Sequence, residues 1–467
     1  DVDVTTLSVD NTVANVAFTG NGSSVTNSFT PANDGTFVFG ASGGTQTYNG
    51  GLTTTSVGST VTLNGTIASS NDAIVLGAVT LGSATTIDTN ASSNAGDITV
   101  AAITGGSNNL TLSTGDNVSG ADITASGAIS GLGNLTLADV GGTATFSANV
   151  AAAALSADST VANISFTGGS NTFSAASTLA NDGTLTFGDA TGDSFTFNGG
   201  LTTSSVGSTV TLNTSISSSD DALTFGAITL GNNVTLDTNS TTTNRADIAI
   251  GAVTGGSNTL TLTTENNVTG ADITASGAIS GVTTLTLASV GGTATLSADV
   301  DVTTLSVDNT VANVAFTGNG SSVTNSFTPA NDGTFVFGAS GGTQTYNGGL
   351  TTTSVGSTVT LNGSIVTSND ALTFGAVTLG SATTIDTNAS STTGDLTLGV
   401  VTGGSNTLTL STGDNVANSD ITASGNISGV TTLTLSDVGG TATFAGDVDV
   451  TTLSVDNTVA NVALNGD

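Results

Sequence analysis

The chain has 467 residues, with 34 acidic side chains against one basic one (Arg245), and it lacks His, Cys, Met, Lys and Trp. A net charge of −33 excludes nucleic acid and anionic membrane surfaces as partners, because both need clustered Lys or Arg to neutralise phosphate. The missing residue types exclude Ser–His triads, thiol and Schiff-base chemistry, and disulfide staples.

Charged residues make up 7% of the chain and hydrophobic ones 36%. Val, Ile, Leu, Phe and Thr dominate, and these fill strands. The residues that usually coat exposed helix faces are almost absent, so the composition predicts β-structure throughout. Gly is abundant at 63 residues while Pro occurs only at Pro31 and Pro329, which argues against a Pro-rich linker and against collagen. No apolar run approaches the ~20 residues that span a bilayer. The chain opens in mid-pattern at Asp1-Val2-Asp3-Val4 with no signal peptide in view, and reads as a mature or excised portion of something longer.

In chain order, short strands are predicted at Thr36–Phe39, Thr60–Leu63, Ala73–Leu76, Asp97–Val100, Leu110–Ser113 and Leu135–Leu137. Most alternate apolar with hydroxyl side chains, the period-2 signature of a half-buried strand. Turn formers separate them: Asn33-Asp34-Gly35, Gly43-Gly44, Gly50-Gly51, Gly105-Gly106 and Gly115-Asp116-Asn117.

The opening Asp1–Asn11 recurs at Asp299–Asn309 and Asp447–Asn457, with a diverged version at Asn149–Ser159. The chain thus divides into repeats 1–148, 149–298 and 299–446 and a partial fourth at 447–467. Residues 1–65 and 299–363 are identical at all 65 positions. The second repeat carries small insertions around Gly188–Phe197 and Ser240–Arg245, both rich in loop-forming residues.

Two all-β architectures fit. One is a parallel β-solenoid (β-helix) with coils of about 20–25 residues stacked ~4.8 Å apart, giving a rod on the order of 100 Å long. The other is a string of β-sandwich domains of about 150 residues. The solenoid is the preferred expectation. No linker breaks the run from Thr143 through Val150 to Leu155, and aromatics amount to 4%, few for sandwich cores.

Segments such as Gly43-Gly44-Thr45-Gln46-Thr47-Tyr48-Asn49-Gly50, Gly77–Ser83 and Gly105–Leu112 resemble the repeats of filamentous-haemagglutinin-like and autotransporter-type bacterial β-strand repeat surface proteins. The resemblance covers essentially the whole chain. It implies a secreted parallel β-helix at the surface of a Gram-negative cell, serving adhesion, biofilm matrix or filament formation. No amino-terminal secretion domain or membrane barrel of that family is recognisable here. The single arginine, followed by Ala246 and Asp247, rules out an Arg-Gly-Asp motif.

Of catalytic kits, only paired carboxylates remain, as in glycosidases. Asp recurs in every repeat at turn positions: Asp34, Asp182 and Asp332; Asp72, Asp221 and Asp370; Asp88, Asp237 and Asp386; Asp97, Asp247 and Asp395; Asp122, Asp272 and Asp420. Copies beside Gly read as structural, so no catalytic or cofactor-binding residue is assigned and no enzyme activity is expected. Stacked in a solenoid, such turns would form acidic lines, and Asp1 with Asp3, Asp299 with Asp301, and Asp447 with Asp449 are candidate Ca2+ ligands. The competing reading is that Asp accepts backbone N–H bonds in turns. Asn-x-Ser/Thr sequons stand at Asn21, Asn64, Asn90, Asn109, Asn117 and Asn134.

The expected role is an extracellular structural protein forming fibres by head-to-tail self-association, since an uncapped solenoid exposes strand edges. The alternative is a stalk or spacer of a large adhesin that contacts other surface or matrix components.

Overall fold

The computed structural model describes residues 1–467 except 117, 242, 243, 266, 267, 415 and 467. The sequon at Asn117 and the centre of the insertion Ser240–Arg245 therefore lie outside the described residues. No helix occurs among the described residues, and every strand pair of known register is parallel. That ladder is the mark of a solenoid; sandwich domains would pair their strands antiparallel. The fold is a parallel β-solenoid of about 22 turns. It divides into two compact units, Asp1–Val234 and Thr235–Asp467.

Alternation makes the walls. In Phe37–Phe39, Ile98–Val100 and Leu185–Phe187 the outer two residues point inward and are buried, and the middle one faces outward. Each turn places the next strand directly above, so like residues stack. Phe166 lies over Phe146 with ring centroids 4.8 Å apart, the spacing of neighbouring strands. Outward hydroxyls stack as well: Thr66, Thr86, Thr111, Thr136, Ser156, Thr178, Thr202 and Thr224 form one column.

The first unit has three walls. One carries Val16, Phe37, Val61, Val79, Ile103, Ile129 and Val150. A second carries Asp3, Ser24, Thr47, Ala68 and Asp88. A third carries Leu52, Ile74, Ile98, Ile123, Ala144 and Ile164. Some strands bend from one wall to the next, as Val61–Ala68 does at Gly65, where the register shifts. Gly65 has φ +65°, and a Cβ there would sit 2.4 Å from the Gly44 carbonyl oxygen, so the corner needs glycine.

Turn length varies along one wall from 18 residues (Val61 to Val79) to 26 (Ile103 to Ile129). The sequence copies are consequently out of step with the turns. Six turns carry Val16 to Val150, whereas the counterpart of Val16 in the next copy is Ile164, two walls further on. The second unit repeats this. Six turns carry Val314 to Val448, through Phe335, Val359, Val377, Val401 and Ile427. The counterpart of Val314, Val462, lies on the wall of Leu350, Leu372, Leu396, Ile421 and Ala442. One copy is thus six and two-thirds turns, and equivalent residues in successive copies face different directions.

Candidate functional site

One 17-residue sequence stands in three environments. Asp1–Ala17, Asp299–Ala315 and Asp447–Ala463 are identical. The middle copy is paired on both edges: the strand Val300–Val307 meets Ile279–Ala288 on one side and Ser322–Val323 on the other. Its apolar residues are covered, with Leu305 4% and Val314 1% exposed. The last copy keeps the eight-residue strand Val448–Val455 against Ile427–Ser436, yet Leu453 is 37% and Val462 39% exposed. In the first copy, paired only with Ser24–Val25, the strand shrinks to Asp3–Val4.

The six candidate Ca2+ ligands fall within these copies. Asp1 Oδ1 accepts the Gly22 N–H at 2.9 Å, and Asp299 Oδ1 accepts the Gly320 N–H at 2.7 Å, each bond reaching one coil onward. Asp447 donates its own N–H to Asn426 Oδ1 at 3.1 Å. Asp301 lies beside Asp299, and burial first, then the Asp299 charge, raise its carboxyl above the usual range against the lowering effect of the Ser322 N–H. Asp3 and Asp449 are exposed on their strands. Among the described residues, no three acidic side chains gather in a group that could hold a metal ion.

Asp301 also borders a cavity of about 280 Å³ with Gly281, Thr283, Thr303 and Ser322. Asp449 borders a counterpart of about 290 Å³ with Gly429, Thr431 and Thr451. Both sit where a positive-φ glycine bends the strand, and both offer hydroxyls and one carboxylate.

The expectation that recurrent Asp residues line up along the solenoid is corrected by the out-of-step turns. Asp247 precedes Ile248 on the wall of Ile273 and Ala294, whereas Asp395 precedes Leu396 on the wall of Leu372 and Ile421. What recurs is a cap between coils. Asp97 Oδ1 accepts the Asp122 N–H at 3.0 Å, and Asp122 Oδ1 accepts the Thr143 N–H at 2.7 Å. The same pair of bonds joins Asp247, Asp272 and Thr293, and again Asp395, Asp420 and Thr441. Asn15, Asn163 and Asn313 do likewise for Thr36, Thr184 and Thr334. Asp10 and Asp308 instead cap their own turns through the N–H groups of Thr12 and Thr310.

One acidic pair escaped the sequence reading. Asp237 is pushed up to about 6, chiefly by burial and further by the charge and hydrogen bond of Glu265, against the Asn239 N–H. Glu265 stands at φ +51° where the aligned residues are Gly115 and Gly413, and that substitution was the available signal.

No helix among the described residues is long and apolar enough to cross a membrane. Comparison with protein-family models, curated proteins and solved structures finds no match to the chain.

Proposed function

We propose that this chain is an extracellular structural protein whose coils stack end to end into a fibre. The observation that supports this is the interior coil Asp299–Ala315. Its strand Val300–Val307 packs with parallel neighbours on both edges, so each coil is a template for the next. A solenoid strand without such a neighbour presents unpaired N–H and C=O groups, which a coil of another chain can complete. Contact between unlike ends does not close on itself, so it propagates. The hydroxyl columns give a surface that dissolves without many charges, and the residue set lacks His, Cys and Lys, which suits a scaffold.

Electron microscopy and sedimentation of the purified chain test the reading. Filaments that lengthen with concentration are expected. A species that remains monomeric at high concentration would overturn it and leave a spacer within a larger adhesin as the better account.

A further inference from the structure

We infer that the recess beside Asp301 binds an amino sugar, with its ammonium on the carboxylate and its hydroxyls on the surrounding Thr and Ser side chains. The site lies within the solenoid's interior coils and does not depend on assembly. A bulge builds it. The strand Ile279–Ala288 bends at Gly281, φ +66°, and its register against Val300–Val307 slips there. This leaves a recess of about 280 Å³ across three successive coils, into which Thr283, Asp301, Thr303, Ser322 and Thr324 are gathered. Asp301 pairs with Ser280 on one side and Ser322 on the other, so one carboxylate stands between two hydroxyl residues at the ~4.8 Å strand spacing.

The lining sets the ligand's chemistry. Among the described residues, the hydroxyls of Thr303, Ser322 and Thr324 make no hydrogen bond, so they are open to donate and accept. Thr283 Oγ1 donates to the Asn258 carbonyl at 3.1 Å and keeps its lone pairs for an incoming donor. Burial and then the Asp299 charge raise the Asp301 carboxyl, and a bound cation offsets both. A chain of net charge −33 draws cations toward it. Val282 and Val302 are 2% and 4% exposed, and no aromatic ring lines the recess, so a bare alkyl amine gains only the ion pair. A ligand with one ammonium and several hydroxyls satisfies the whole lining. The recess falls just under the roughly 300 Å³ at which small-molecule sites begin, which suits a single sugar ring. The first unit supplies an internal contrast. Its equivalent recess at Gly131, about 380 Å³, has Gly133, Ala151 and Ala153 where Thr283, Asp301 and Thr303 stand. It keeps the bulge and lacks the charge.

Calorimetric titration of the full-length chain tests the site, with Asp449→Ala in every variant so that the counterpart cavity does not contribute. Glucosamine, at a pH that keeps its amine charged, is expected to bind about tenfold or more tightly than glucose or methylamine, each of which carries half of the recognised groups. Asp301→Ala is expected to abolish binding and Thr303→Val to weaken it severalfold, with circular dichroism unchanged. A151D/A153T is expected to build a second site in the first unit and double the stoichiometry. Methylamine or glucose binding as tightly as glucosamine would overturn the assigned ligand class. No binding of glucosamine to the parent, or binding that survives Asp301→Ala, would overturn the site itself.

Discussion

The Tyr346 hydroxyl donates to Gln344 Oε1 at 2.9 Å inside a coil where neither side chain is exposed. Gln344 Nε2 in turn donates to the Phe316 carbonyl at 2.8 Å, so two polar side chains sit in an apolar interior with their needs met. Burial holds the phenol far above its ordinary range and keeps it a donor. Tyr346→Phe leaves the amide oxygen buried and unpaired, a cost of about 1–3 kcal/mol. Hydrogen exchange at residues 343–346 should accelerate roughly 5- to 150-fold if the coil opens by itself.

Folding shifts the pKa of Asp237 upward, opposite to a carboxylate stabilised by an ion pair or backbone N–H bonds. Its folded-state value of about 6 exceeds that of an unfolded chain, so the native state holds a proton that the unfolded state releases. The group's contribution is complete below the unfolded value and is lost as pH rises through about 6. The denaturation midpoint is expected to fall between pH 4 and 7, and Asp237→Asn should flatten that part of the profile. Glu265→Gly removes the facing charge and a positive-φ side chain, so it should stabilise by about 1 kcal/mol at pH 7.

Capping and cation binding make different demands on Asp299. As a cap it needs one oxygen for the Gly320 N–H, which Asn also provides. Asp299→Asn is expected to stay within about 0.5 kcal/mol of the parent, and Asp299→Ala to lose about 1 kcal/mol. Melting curves with millimolar Ca2+ and with a chelator should superimpose for all three proteins; a Ca2+-dependent rise confined to the parent would show that the carboxylate holds an ion.

Assembly should answer to salt and to the open edge. Each 467-residue chain carries a net charge of −33, so approach of two chains is opposed at low ionic strength and eased once the screening length falls to about 10 Å near 0.1 M. Light scattering should show faster elongation at higher salt. Leu453→Asp places a charge among the half-exposed apolar residues that stacking as proposed would cover, and it should abolish elongation while circular dichroism of the monomer is unchanged.

The strands were legible because inward and outward residues alternate within three or four positions, as at Phe37–Phe39 and Ile98–Val100. The solenoid was legible from the unbroken run through Val150. Its phase was not. Turns of 18 to 26 residues are set by how far each loop strays, and the period-2 alternation that marks strands such as Val61–Leu63 and Leu110–Leu112 carries no record of loop length. The acidic lines failed for that reason, because identity in sequence was read as alignment in space.

The mismatch between copy length and turn length bears on how such a chain can change. A coil's neighbours depend on the segments just before and after it, so losing or gaining one copy leaves interior contacts matched. It swings every outlying feature by a third of a revolution. Recombination between copies can therefore reset which way a side chain such as Asp301 points without any repacking, and each copy gained or lost changes length and orientation together.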